Sequence, residues 1–261
     1  MQQLAIEQRR ALGPRAEWHP GDIAWGLWMH EGREHEWRFR TWDGAAWSWL
    51  HLDSGVLDVD VRADRHDLLD EILDEPAARQ AWAFEDDADR RDALARHGFA
   101  EPVESMHFYV LDLEARPDPR PLPDGFRHRT VGAGDLAARV AAQHAAWPRS
   151  RVTERSYANV RAAWPYRASL DSVVEAPDGS FAATALLWPD DENRVGELEP
   201  VGADPAYRRR GLAAAVCTDA LRRWYDEGGL QAVVYCVTEP ACALYESLGF
   251  RRHATLVGYR R

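Results

Sequence analysis

The sequence has 261 residues, of which 46% are hydrophobic, so it is long enough for two domains with packed cores and is not typical of a disordered chain. Its formal net charge of −11 argues against a general attraction to nucleic acid or to anionic membranes. The first residues lack the apolar core of a signal peptide, and no run approaches the ~18 apolar residues of a membrane span. The three cysteines show no metal-ligand spacing. We therefore expect a cytoplasmic protein with reduced thiols and with no metal, nucleic-acid or membrane partner.

The first half of the chain is patterned as an α/β unit. Residues 36–52 alternate as a tryptophan-rich hairpin, and Asp43-Gly44 suits its tight turn. The pattern then predicts a helix, a strand, a helix and a strand, at Asp67–Leu73, Ala81–Phe84, Asp89–Arg96 and Met106–Leu111. The six tryptophans from Trp25 to Trp49 are expected to pack in the core, with the lining of a pocket as the alternative.

Residues 116–125, RPDPRPLPDG, carry four prolines and predict a linker, because proline supports neither a helix interior nor a central strand. The linker separates an N-terminal domain, 1–115, from a C-terminal domain, 126–261. In the second domain the pattern predicts helices at 135–146 and 153–164, a hairpin of strands at 170–175 and 181–188, a strand at 195–203, a helix at 209–226, a buried strand at 231–237, a helix from Pro240 to Gly249, and a last strand at 250–257.

The two halves resemble each other in sequence. WAFEDD from Trp82 aligns with VVYCVT from Val233, and the HGF at His97 aligns with the LGF at Leu248, both at an offset of 151. Upstream, the VRAD that ends at Asp64 aligns with the VGAD that ends at Asp204, at an offset of 140. The first copy is therefore 11 residues shorter between these points, and we interpret the chain as an internal duplication.

The most informative segment is the arginine-rich turn that follows the predicted strand 195–203. Arg208, Arg209 and Arg210 precede Gly211, and an alanine-rich helix follows. The first turn of a helix has unpaired N–H groups and the positive end of the helix dipole, so it binds anions. Glycine and alanine keep the side chains short, and the arginines add charge. The segment predicts a phosphate-binding turn.

Together with a second motif, this turn resembles the cofactor motif of the GCN5-related N-acetyltransferase (GNAT) superfamily. The family pattern Arg/Gln-x-x-Gly-x-Gly/Ala is matched by Arg208, Gly211 and Ala213, and ALYESLGF from Ala243 to Phe250 resembles a second family signature. The resemblance extends over about 126–259. It implies an α/β fold (an α+β mixed sheet) of two tandem GNAT-like domains, each a mixed, mostly antiparallel twisted sheet flanked by helices, with a degenerate N-terminal copy.

The resemblance also implies acetyl-CoA as cosubstrate and assigns roles to residues. Tyr245 would protonate the departing thiolate as general acid. Thr238 stands where the family often has an asparagine that contacts pantetheine. The main chain of Val201, Gly202 and Ala203 would bind the pantetheine arm beside a splayed strand pair. The pyrophosphate would lie in the turn and the helix start, formed by Arg208, Arg209, Arg210, Gly211, Leu212, Ala213 and Ala214.

The base is expected on the strand before the turn. Glu197 and Glu199 share one face by the period of two, and either can accept a proton from an amine if its pKa is raised. Glu199 is favoured because it is closer to the splay. Pro200 lacks an N–H and would interrupt the strand pairing there.

The sequence therefore predicts an N-acetyltransferase that acts by direct attack of a small-molecule primary amine on acetyl-CoA. The alternatives are an acyl or aminoacyl transferase similar to mycothiol synthase, and a non-catalytic acyl-CoA sensor. The first copy has Leu94 where the second has Tyr245, and it lacks the arginine-rich turn, so we expect it to bind no acetyl-CoA. The protein is expected to be a monomer that forms an internal pseudo-dimer, or a weak homodimer.

Overall fold

Both halves of the computed structural model, which describes residues 1–261, repeat one series of helices and strands. The N-terminal half contains α1 (Gln2–Leu12), α2 (Pro20–Trp28), β1 (Trp37–Trp42), β2 (Ala46–His51), β3 (Val56–Val61), α3 (Leu68–Leu73), β4 (Gln80–Phe84), α4 (Ala88–Arg96) and β5 (Glu101–Asp112). The C-terminal half contains β6 (Arg127–Thr130), α5 (Leu136–Ala146), α6 (Glu154–Ala162), β7 (Asp171–Glu175), β8 (Phe181–Asp190), β9 (Val195–Ala203), α7 (Leu212–Asp226), β10 (Gln231–Cys236), α8 (Glu239–Ser247) and β11 (Arg251–Arg260).

All the strands form one 11-stranded sheet in the order β1-β2-β3-β4-β11-β5-β10-β9-β8-β7-β6. Two pairs, β3 with β4 and β9 with β10, are parallel, and the other pairs are antiparallel. Without the edge strand β6, the order is symmetric about the centre, since each strand of one half has its counterpart in the other. This arrangement confirms the expected fold class of mixed sheets flanked by helices, arranged in tandem.

The two halves exchange their last strands. β11 pairs with β4 of the N-terminal half, and β5 pairs with β10 of the C-terminal half. The two exchanged strands pair with each other at the centre of the sheet. Strand pairing therefore continues without a break from one half to the other. The domain boundaries at residues 115 and 126 remain a prediction from the sequence.

The 11-residue difference between the copies falls mainly on one helix. α3 has 6 residues, whereas its counterpart α7 has 15. α7 packs its buried face, including Val216, Leu221 and Trp224, against the C-terminal half of the sheet. The N-terminal half has its own core around α3 and α4. Trp47 and Trp49 are buried, as expected of a core role, whereas Trp28 is 45% exposed.

Several elements differ from the sequence-based expectation. α1, α2 and β6 were not predicted, and β5 and β11 are longer than expected. α7 begins at Leu212 rather than at Arg209, because Arg209 and Gly211 have φ angles of 61° and 77° and cannot belong to a right-handed helix. None of the helices is both long and apolar enough to cross a membrane.

The helix α2 connects the halves on one face of the sheet, because it packs on α6, β8 and β9 of the C-terminal half. Its start is fixed by a capping box in which His19 Nδ1 accepts from Gly21 N–H and Asp22 accepts from the His19 N–H. A Cβ on Gly21 would lie 2.3 Å from the Cβ of Trp188, so only glycine permits this close approach. α2 thereby brings residues of the N-terminal half beside β9.

Candidate active site

The parallel strands β9 and β10 separate partway along their length. Their pairing covers Val195 to Glu197 on β9 and ends at Glu197 opposite Val233. Beyond this point β9 pairs only with β8, and a cavity of about 600 Å³ opens between the strands. Its lining includes Trp25, Met29, Met106, Gln143, Trp147, Arg149, Glu197, Glu199, Val201, Tyr235, Thr238 and Tyr245. The expected splay is therefore present and forms the main cavity of the protein.

The main chain at the end of β9 has an unpaired edge toward this splay. Asp204 N–H donates to Ala182 on β8, and Gly202 lies opposite Thr184 of the same strand. Since main-chain groups alternate between the two sides of a strand, those of Val201 and Ala203 point toward the open side. A Cβ on Gly202 would lie 2.6 Å from the ring of Trp147, so the indole packs directly over this segment.

The arginine-rich turn lies at the start of α7, where Gly211 is the N-cap and no side chain caps the first turn. Arg208, Arg209 and Arg210 are all exposed, and Arg210 lies over the ring of Tyr207. Leu212 and Ala214 are buried under the helix start. The uncapped N–H groups and the exposed guanidinium groups together form a cationic turn at the end of the splay.

Tyr245 and Thr238 line the same cavity from the α8 side. The Tyr245 side chain is 5% exposed, packs against Phe250, and has no hydrogen-bond partner for its hydroxyl within the protein. Burial raises the pKa of Tyr245 well above its ordinary value, so the phenol remains protonated at neutral pH. Thr238 caps α8 by accepting from Ala241 N–H at 3.4 Å.

Three carboxylates meet on the opposite wall. Glu197 and Glu199 on β9 and Asp22 on α2 place oxygen atoms within 4.8 Å of one another. Glu197 is 1% exposed and its Oε2 has no hydrogen-bond partner, although His19 Nδ1 lies 3.3 Å away. Burial lowers the pKa of His19 to about 3, so the imidazole is neutral.

Burial and mutual repulsion raise the pKa of each of these acids. Burial, with a contribution from Glu199, raises the pKa of Glu197 to about 8. Burial and the Asp22 charge raise the pKa of Glu199 well above its ordinary value, and burial with Glu197 does the same for Asp22. The three groups titrate together, and such a cluster holds protons at a pH where isolated carboxylates are ionised.

Oxygen ligands at this spacing also suit a cation, so the absence of a metal stays a prediction.

A second, smaller cavity of about 160 Å³ lies on the far side of Glu199. It shares Met106, Glu199 and Tyr235 with the main cavity and is completed by Glu17, Trp18, Asp22 and Leu256. Glu17 forms an ion pair with Arg90 at 2.8 Å, and burial raises the pKa of this glutamate to about 8.

The N-terminal half contributes residues to this site, and of these only Trp25 was considered for a pocket from the sequence, as one of six tryptophans. Asp22, Trp25 and Met29 reach the main cavity or its carboxylates from α2 and the residue after it. The capping-box spacing of His19 and Asp22 marks a helix start, but it gives no sign that Asp22 faces Glu199 across the sheet. Arg149 also lines the main cavity.

The N-terminal half has its own splay, which its own side chains fill. β3 and β4 pair only as far as Leu57 opposite Ala81. Beyond it, the carbonyl of Val59 accepts from Trp18 Nε1 and Arg90, and the carbonyl of Val61 accepts from Gln8. The remaining space measures about 60 Å³, compared with about 600 Å³ in the C-terminal half.

Comparison with known proteins gives a consistent family assignment. The family model described as "Acetyltransferase (GNAT) family" matches residues 138–250. A mycothiol acetyltransferase of Amycolatopsis mediterranei is 32% identical over 207 residues, which covers 73% of this chain and 68% of the relative. A mycothiol acetyltransferase of Saccharomonospora viridis is 30% identical over 214 residues, which covers 74% of this chain and 67% of the relative.

Solved structures share the fold over the full chain. A GCN5-related N-acetyltransferase from Sphaerobacter thermophilus superposes with a TM-score of 0.68 and 19% identity, covering 100% of this chain and 90% of that one. A tandem GNAT protein from the clavulanic acid biosynthesis pathway gives a TM-score of 0.68 with 15% identity, covering 100% and 93%. At these identities the likeness concerns the fold alone.

Proposed function

Since the chain belongs to the GNAT family of acetyltransferases, we propose that it transfers the acetyl group of acetyl-CoA to the primary amine of a small molecule by direct attack. One observation carries this proposal: the main cavity has an unpartnered phenol, Tyr245, on one wall and the carboxylate of Glu199 on another, beside an open strand edge. An amine, a thioester carbonyl and a leaving thiolate need these three kinds of group.

The residues fit acetyl-CoA as cosubstrate. The free main-chain groups of Val201 and Ala203 line an edge along which an amide-bearing pantetheine arm can pair, with Gly202 between them. Thr238 would contact the arm, although its hydroxyl already caps α8. The pyrophosphate would lie at the uncapped helix start, where main-chain N–H groups and arginine guanidinium groups would donate hydrogen bonds to it. The residues of this site are Arg208, Arg209, Arg210, Gly211, Leu212, Ala213 and Ala214.

Glu199 is the base in this proposal. It lines both cavities, whereas Glu197 lines only the main cavity and is 1% exposed; burial and Asp22 raise the pKa of Glu199. The charge of the bound ammonium lowers the pKa of Glu199, so the carboxyl releases its proton to solvent and is ionised when the acceptor is bound. Glu199 then takes one proton from the ammonium, the free amine attacks, the C–N bond forms and the C–S bond breaks. The main-chain N–H of Val201 stabilises the developing oxyanion. Tyr245 protonates the thiolate and regains a proton from the nitrogen.

The N-terminal half binds no acetyl-CoA in this proposal. Gln8, Trp18 and Arg90 occupy the carbonyl groups of its splay, and Leu94 is buried where the C-terminal half has Tyr245. The two halves form the domains 1–115 and 126–261 joined by the linker 116–125. Because the halves already pair as an internal pseudo-dimer, we expect a monomer or a weak homodimer.

The test measures thiol release from acetyl-CoA with a panel of amines. We expect release with at least one amine, and loss of that release in Glu199→Gln, whereas the surface variant Glu192→Gln keeps it. Acetyl-CoA binding without release on any amine would support the sensor instead. The absence of any acetyl-CoA binding would refute both functions.

A second candidate activity is acetyl transfer to the acceptor of the mycothiol acetyltransferases. It is favoured by the identity of 32% with the Amycolatopsis mediterranei protein across most of both chains. Including that acceptor in the panel separates the two candidates, because turnover confined to it would assign the mycothiol reaction to this chain.

A further inference from the structure

The smaller cavity beside Glu199 combines an acidic wall with apolar walls. Asp22 and Glu199 form the acidic wall, and Trp18, Met106 and Leu256 supply most of the rest. Asp22 Oδ2 accepts from the His19 N–H. Glu197 belongs to the same carboxylate cluster as Asp22 and Glu199, and its Oε2 is buried and has no hydrogen-bond partner. The carboxylate cluster at this wall therefore has acceptor capacity that the protein itself does not satisfy.

The polar atoms of the aromatic walls are turned away from a ligand. Trp18 Nε1 donates to the carbonyl of Val59, and the Tyr235 hydroxyl donates to the carbonyl of Glu17. These aromatic walls thus offer no free donor to a ligand hydroxyl, and a hydroxyl buried against them, away from the carboxylates, is left unpaired at a cost of about 1–3 kcal/mol. The cavity therefore favours a ligand in which a cationic group is attached to an apolar stem.

The size of the cavity limits what it can hold. Its volume of about 160 Å³ is close to the ~150 Å³ of a protein cavity that accepts one benzene molecule. A group of about six carbon atoms therefore fits. Glu199, Met106 and Tyr235 line both cavities, so an amine held at Glu199 by a group in the smaller cavity would lie where this cavity adjoins the main one.

We propose, on the basis of the proposed function, that the acceptor is a primary ammonium on a short aromatic or aliphatic stem. Asp22 and Glu199 bind the ammonium, and the stem lies against Trp18, Met106 and Tyr235. The N-terminal half, which has no cofactor site of its own, thereby contributes to acceptor specificity through Asp22. In the reaction the ammonium loses one proton to Glu199 before it attacks.

The experiment measures binding of three probes to the full chain by calorimetry without acetyl-CoA. Phenethylamine has the proposed charge and stem, 2-phenylethanol has the stem without the charge, and glucosamine has the charge on a polyhydroxylated stem. We expect phenethylamine to bind about ten-fold or more tightly than either of the others, as expected for one charge-assisted contact and for the unpaired hydroxyls. Equal binding of glucosamine and phenethylamine would overturn the proposal.

Two variants locate the site. Asp22→Asn keeps the shape of the side chain and its ability to cap α2, and it should weaken phenethylamine binding by about ten-fold or more. Asp89→Asn makes the same change at an exposed position and should leave binding unchanged. Unchanged binding in a folded Asp22→Asn would contradict the assignment, and the wild-type comparison of the three probes decides the question if that variant does not fold.

Acetyl transfer separates this inference from the proposed function. Transfer to glucosamine but not to phenethylamine would refute the acceptor class and leave the acetyltransferase function intact. Tight phenethylamine binding with no transfer to any amine would keep the ammonium site and refute the function.

Discussion

Replacing Glu197 by glutamine should change how the stability of the protein depends on pH. Burial raises the pKa of Glu197 to about 8, whereas an unfolded glutamate titrates near its ordinary value of 4.5. Between these values the folded state binds more protons than the unfolded state, so stability falls as pH rises. The Glu197 contribution is fully present below pH 4.5 and is lost as pH rises through the folded pKa.

The magnitude follows from the size of the shift. One pKa unit corresponds to about 1.36 kcal/mol, so the wild type should lose about 2–3 kcal/mol of unfolding free energy from this group between pH 6 and pH 8. Glutamine cannot ionise and matches the glutamate side chain in size. The unfolding free energy of Glu197→Gln relative to that of the wild type should therefore increase by about 2–3 kcal/mol between pH 6 and pH 8.

Urea unfolding of both proteins at pH 6, 7 and 8 measures the effect. Glu192→Gln serves as a matched control, because Glu192 lies on the surface in an ion pair with Arg10. Its stability difference from the wild type should stay constant with pH. If Glu197→Gln also gives a constant difference, Glu197 is ionised in the folded protein at pH 6 and the carboxylate cluster does not hold protons as reasoned.

Three further substitutions and one binding measurement test other parts of the structure. Tyr245→Phe should lower kcat roughly 100-fold or more with little change in acetyl-CoA affinity, and an unchanged kcat would remove the phenol from the mechanism. Gly211→Ala, at φ 77°, should cost about 1 kcal/mol and weaken acetyl-CoA binding, as measured by urea unfolding and calorimetry. Gly21→Ala should destabilise the protein by about 1–3 kcal/mol through its clash with Trp188, whereas Gly134→Ala, with no atom within 4 Å of the new Cβ, should not. Calorimetry should give one acetyl-CoA per chain, and two would show that the N-terminal splay opens.

The sequence predicted the repeated architecture and much of the C-terminal half. The alignment offset of 151 matches β4 with β10 and α4 with α8, and the shortened α3 accounts for most of the missing residues. These predictions succeeded because strand periodicity, turns and helix caps are local patterns. The start of α7 was placed at Arg209, three residues early, because the left-handed backbone at Arg209 and Gly211 leaves no periodic signal.

The strand exchange could not be read from the sequence. β5 and β11 are each compatible with either half of the sheet, since the duplicated halves offer them similar neighbours. The choice between an exchanged and an unexchanged arrangement depends on the packing of the whole sheet. Likewise, α2 carries an ordinary capping signature, and nothing in its pattern reports that it packs on β8 and β9.

The sequence by itself was enough to predict the cofactor half of the candidate site, because its turn, its helix start and Tyr245 lie on consecutive elements from β9 to α8. It also narrowed the base to Glu197 or Glu199. The tertiary structure alone decided which groups face those glutamates. Asp22 lies more than 170 positions away in the chain and reaches Glu199 only because α2 packs across the sheet. The proposed acceptor side thus combines residues of both halves, and such long-range contacts have no local sequence pattern.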